Sequence, residues 1–154
     1  MEKDKLDDAY HEINQRPCVF EKAVLSRRCA CSKGQRFCLA EREGIGCGLV
    51  SARLRCQSLL DHMRHNARFA LQLQTLEAPL PHAKALRLQT GGLLGLQRVL
   101  LAPAEPGDEV TDVHGLVSDA IAQFGDLERL PYAEMLRDVS SFQARARRHR
   151  PGVE

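Results

Sequence analysis

Tryptophan is absent from this chain, tyrosine occurs twice and phenylalanine five times. Runs of β-branched residues are also scarce, while Leu, Ala, Arg, Gln and Glu recur throughout. A chain so poor in strand formers and so rich in helix formers predicts helix. Long apolar runs are missing as well. The richest stretch, around Leu86 to Leu101, is interrupted by Arg87, Gln89, Gln97 and Arg98, which excludes a bilayer-crossing segment there. Met1-Glu2-Lys3-Asp4-Lys5-Leu6-Asp7-Asp8 holds no apolar stretch of the signal-peptide kind, so the expectation is a cytoplasmic protein in a reducing compartment, with no membrane partner. Phosphate loop, dinucleotide fingerprint and Gly-x-Ser-x-Gly nucleophile turn are all lacking, and no cysteine has a visible base beside it. No catalytic residue is assigned, and a non-enzymatic role is favoured.

The most informative absence is positional: no cysteine follows residue 56, although six precede it. At 154 residues the chain can bury a core without disulfide staples. Thiols concentrated in one segment of such a chain predict a bound metal or an iron–sulfur centre. The pattern reads C-x10-C-x-C-x6-C-x8-C-x8-C, which is neither the paired knuckles of a zinc ribbon nor the tight run of a bacterial ferredoxin.

Geometry ranks the six. Cys29 and Cys31 reach one centre only if a preceding helix ends there, because residues two apart diverge by about 200° in a helix and point the same way in extended chain. Ser32-Lys33-Gly34 supplies such an ending. Gly46, Gly48 and a cap at Ser51 let Cys47 and Cys56 turn towards each other. An intact helix from Pro17 to Arg28 puts Cys18 about 16 Å from Cys29, too far for two ligands of one small site. Either Cys18 then lies outside a site containing Cys29, or that helix is broken. Cys38, between Phe37 and Leu39, reads as a small buried hydrophobe. The expected ligands are Cys29, Cys31, Cys47 and Cys56, with Cys18 next.

An iron–sulfur cluster, of the [4Fe–4S] type, is the expected cofactor, with zinc as the alternative. No histidine lies between Cys18 and Cys56, and residues 16–36 carry Arg16, Lys22, Arg27, Arg28, Lys33 and Arg36 against Glu21 alone. Cations stabilise an anionic four-thiolate cluster and offer docking charges to a redox or regulatory protein with an acidic surface, though they also suit a zinc tetrathiolate or a solvated helix face. The expected function is electron transfer or redox sensing. The alternative is a zinc-stabilised helical module that binds nucleic acid or a protein through Arg145, Arg147, Arg148 and Arg150. No aromatic is interleaved with those arginines, which weakens the nucleic-acid reading. His62 and His65, one turn apart beside Asp61, read as the wet face of a helix.

The expected architecture is all-α, a single-domain bundle of five or six helices over residues 1–154. Within it, residues 17–56 form the Cys-rich segment, 57–142 a helical core and 143–154 a basic tail. Phe37, Leu39 and Ala40 suggest a short second helix ending near Gly44-Ile45-Gly46. Leu54, Leu59, Leu60, Met63, Ala67, Ala70 and Leu71 form the stripe of the longest helix. Gly91 and Gly95, four apart, mark a close approach between helices. Val113, Val117, Ala120 and Ile121 form a stripe that stops at Gly125, and Pro131 opens a last helix facing inward through Phe142 and Ala146. Between Ala102 and Asp108 runs a linker, and acidic side chains dominate residues 101–128.

Overall fold

The computed structural model describes Ala9, Glu12 and residues 14–71, 78–137 and 139–142. The C-terminal arginines lie outside the described residues. In chain order the elements are helix α1 (Glu21–Leu25), strands β1 (Gly34–Leu39) and β2 (Arg42–Cys47), helix α2 (Val50–Ala67), and helix α3 (His82–Leu86). A π-helical turn (Arg87–Gly91) then leads into α4 (Gly92–Leu101), followed by α5 (Val113–Phe124) and α6 (Tyr132–Met135). Single 3-10 turns occupy Leu127–Arg129 and Val139–Ser141. Among the described residues no helix is long and apolar enough to cross a membrane.

The all-α expectation is overturned by the hairpin. Strands β1 and β2 pair antiparallel from Gly34↔Cys47 to Leu39↔Arg42, in the segment that composition assigns to a second helix. Two physical causes act against helix there. Gly44 and Gly46 weaken it by their conformational entropy, and Ala40 takes a φ of 55°, the left-handed conformation that a two-residue hairpin loop needs. A third extended segment then joins β2. Pro17 bridges Gly46, the Cys18 N–H donates to the Ile45 carbonyl at 2.9 Å, and the Cys47 N–H donates to the Arg16 carbonyl at 2.7 Å.

Helix α1 is far shorter than Pro17–Arg28. The hydroxyl of Ser26 donates back to the Ala23 carbonyl at 2.6 Å, and Arg27 turns left-handed at φ 68°, reversing the chain. Beyond this reversal the backbone is extended and pairs in parallel with a segment about 80 residues later: Val110 N–H to Arg28 O at 2.9 Å, Ala30 N–H to Val110 O at 2.8 Å, and Val113 N–H to Ala30 O at 2.8 Å.

The later helices follow their stripes. Leu59, Met63 and Ala67 of α2 are buried, with Leu71 beyond its end, whereas Leu54 and Ala70 are exposed. The close approach expected near Gly91 and Gly95 is present: a Cβ at Gly95 would overlap the carbonyl oxygen of Met135, and one at Gly91 would sit 3.4 Å from Phe142. At the neighbouring Gly92 the obstacle is the Met63 methyl. Helix α5 stops at Gly125, whose φ is 94°. Among the described residues the last inward helix is cut down to α6 and a 3-10 turn, because the backbone leaves the helical region after Met135. Ala146 lies outside the described residues. One core cluster runs through the whole arrangement, from Phe20, Val24 and Ile45 to Leu59, Val113 and Met135.

Candidate metal centre

Four cysteines from four separate segments converge on one recess. Cys18 arrives on the extended segment before α1, Cys31 on the loop before β1, Cys47 at the end of β2, and Cys56 on the second turn of α2. The pairing explains why. Cys18 lies opposite Ile45, so Cys47, two residues further along β2, is its diagonal neighbour on the same face. Diagonal neighbours stand about 7–8 Å apart at the backbone. Cys31 comes to that face through the turn that the Gly34 N–H closes on the Cys31 carbonyl at 3.0 Å.

Gly34 lines the recess at the exposed start of β1. It pairs with Cys47, and a Cβ placed there would lie 3.2 Å from the Cys31 carbonyl oxygen, 3.4 Å from Ile45 Cγ2 and 3.8 Å from the Cys31 Cβ. The walls include Val19, Phe20, Ala52 and Val113. Lys33, Arg53 and His114 bring cationic or ionisable groups to the same lining. Arg53 also donates from Nε to the Pro17 carbonyl at 2.8 Å, which ties α2 to the Cys18 segment.

Burial pushes the thiols of Cys18 and Cys56 up to about 12, with the neighbouring site cysteines adding to the effect in both. For Cys18 the Phe20 N–H opposes the rise, and for Cys56 the Arg55 charge does. Without a ligand, then, these thiols are held neutral, and a cation must displace their protons to bind. Cys47 donates its thiol hydrogen to the Leu49 carbonyl at 3.3 Å. Among the described residues no group of three or more His, Cys, Asp or Glu side chains stands in geometry that holds a metal ion as it is.

Of the expected ligands, the structure brings Cys31, Cys47 and Cys56 together and adds Cys18, the residue ranked next. Cys29 is buried behind the recess, outside its lining but near enough to Cys18 for the two thiols to interact. Its thiol is pushed up to about 12, by burial first, with the Arg28 charge and the Val110 N–H opposing and Cys18 adding to the rise. The two-residue logic fails here because the extended Cys29-Ala30-Cys31 segment is gripped by Val110, which seats Cys29 in the core. The dilemma over Cys18 resolves on both sides: the helix is broken, and Cys29 is absent from the recess lining. Cys38 is exposed and donates to the Ala40 carbonyl at 3.2 Å, so it is no core residue. His62 is half-buried and stacks on Tyr132 with ring centroids 5.7 Å apart, and His65 is exposed.

Sequence reasoning missed Arg53, Gly34 and His114. Only Gly34 left a trace, as a turn residue. Asp112 was missed too: its Oδ1 accepts the Ser32 N–H at 2.8 Å, bracing the Cys31 loop. Although partial burial favours its neutral form, the Ser32 and Gly115 N–H groups and the His114 charge hold this carboxyl below its ordinary value. Comparison with protein-family models, with curated proteins and with solved structures finds no match for this chain.

Proposed function

We propose that the protein holds an iron–sulfur cluster on Cys18, Cys31, Cys47 and Cys56 and serves in one-electron transfer or redox sensing. The observation that carries this reading is the convergence of four thiols from four segments on one largely apolar recess. A four-thiolate donor set fits zinc and iron–sulfur alike. The lack of any histidine between Cys18 and Cys56, with Lys33 and Arg53 on the lining, favours the cluster. Around one zinc ion, sulfurs stand about 3.8 Å apart, as a tetrahedron with bonds near 2.3 Å requires. A cuboidal cluster accepts a wider set, because each thiolate meets a different iron.

A bound cluster supplies a one-electron couple. The chain does the rest: four thiolates bind, Val19, Phe20 and Val113 exclude water, and Lys33 and Arg53 offset negative charge, which favours the more reduced state. Anaerobic purification or reconstitution tests the reading. Brown protein with stoichiometric iron and sulfide and a reducible visible absorption band supports it, and colourless protein with stoichiometric zinc overturns it.

A further inference from the structure

We infer that electrons pass at Cys47, through a docking face made by Arg16, Lys33, Leu49, Val50 and Arg53, and that the face fits a one-electron carrier protein with an acidic rim around its cofactor. This rests on the cluster reading above and goes on to name the partner class.

Cys47 borders open ground on two sides. It lines the four-thiol recess and also a second groove outside it, shared with Arg16 and Gln35. The chain beyond it exposes an apolar pair: Leu49 is 37% and Val50 50% accessible. Leu49 is bound into the same corner. The Leu49 carbonyl accepts from the Cys47 thiol at 3.3 Å and from the Arg53 N–H at 3.0 Å. The Gly48 N–H donates to the Lys33 carbonyl at 2.8 Å, and Arg16 holds the Cys47 N–H.

Charge selects the occupant. No Asp or Glu occurs between Ile45 and Leu60, and the first turn of α2 carries none. Two of the nearby acids are engaged, since Glu21 accepts the Ile45 N–H at 2.9 Å and Asp112 accepts the Ser32 N–H, while Glu12 lines the outer groove together with Arg16. Arg27 and Arg36 do not belong to the face, since both reach Glu43 at the far end of the hairpin. Exposed apolar side chains ringed by cations suit a transient complex with an acidic surface, whereas two copies of such a face repel each other. In the exchange one electron leaves the partner's reduced cofactor and enters the oxidised cluster, and no covalent bond forms or breaks.

Stopped-flow mixing of oxidised, iron-loaded protein with reduced flavodoxin, as an acidic one-electron carrier, tests the face. The rate is expected to fall about tenfold between low salt and 0.3 M salt. Val50→Glu and Arg16→Glu are each expected to slow it about tenfold at low salt while iron content, absorption and reduction by dithionite stay within twofold of wild type. Val50→Glu places an acid in a helix first turn, which suits the helix dipole and guards against unfolding. Rates indifferent to salt and to both variants overturn the docking face and leave the cluster standing. A second-order self-association that the variants abolish also overturns it, in favour of a dimer. Protein that takes up no iron overturns the cluster reading, and this one with it.

Discussion

Arg53 and Pro17 are joined by a hydrogen bond of 2.8 Å, from the guanidinium Nε to the carbonyl oxygen, that links the segments bearing Cys56 and Cys18. Neither residue is a ligand. Together they fix how far the first turns of α2 stand from the extended segment entering α1, and so the span between two of the four thiols.

Arg53→Met is therefore expected to weaken cluster retention. Loss of a charge-assisted bond at a half-buried position costs about 1 kcal/mol, or ~fivefold in the rate of iron loss to a chelator. Arg53→Lys, which keeps the charge but not the fork, is expected to restore the reduction potential more fully than the retention. Equal retention in all three proteins would show that the bond does not set the span.

Among the cysteines, Ser at 18, 31, 47 or 56 is expected to abolish the visible absorption and most of the iron. Cys38→Ser is expected to behave as wild type. Cys29→Ala is expected to keep its iron while losing about 1–2 kcal/mol of stability, the usual cost of trimming a packed core residue. Iron analysis beside thermal melts separates the two kinds of effect, and iron loss in Cys29→Ala would return that residue to the ligand set.

Two glycines are expected to fail differently. Gly34→Ala crowds the Cys31 carbonyl on the recess lining, so loading falls while the melting of the metal-free protein changes little. Gly95→Ala drives a methyl into the Met135 carbonyl, so the fold itself loses about 3 kcal/mol. Circular dichroism melts of metal-free protein decide this.

Alkali is expected to unfold the metal-free protein. Cys18, Cys29 and Cys56 are raised in the fold from 9.0 to about 12, so the native state holds protons that the unfolded chain releases. The stability they confer is fully present below pH 9.0 and is lost as pH rises towards 12. Denaturant midpoints measured across that window should fall, and the fall should be shallower in Cys29→Ala. Asp112 works in the opposite direction: its depressed carboxyl contributes stability above 3.8 that is lost as pH falls below it.

Periodicity made the helical half legible. The stripe from Val113 to Ile121, its stop at Gly125 and the close packing at Gly95 all follow from side-chain spacing and residue size. The hairpin was hidden because Ala40-Glu41 carries none of the Gly, Asn or Asp that announces a two-residue turn. Its strands are specified by backbone pairing with Arg16–Cys18, a contact across the chain that no local pattern encodes. The same holds for the thiols. Spacing narrowed them to one segment, but Arg27 turning left-handed and Val110 gripping Cys29 decided which reach the recess.

That grip also sets a timetable. Ser32 and its partner Asp112 are 80 residues apart, as are Arg28 and Asp108. At a synthesis rate of about 5–20 residues per second, some ~4–16 s pass between the emergence of Cys31 and that of the loop that braces it. Every cysteine of the chain is by then already made and exposed to the cell. The nascent segment thus waits as loose thiols, open to oxidation, until the acidic loop arrives to close the Cys31 corner.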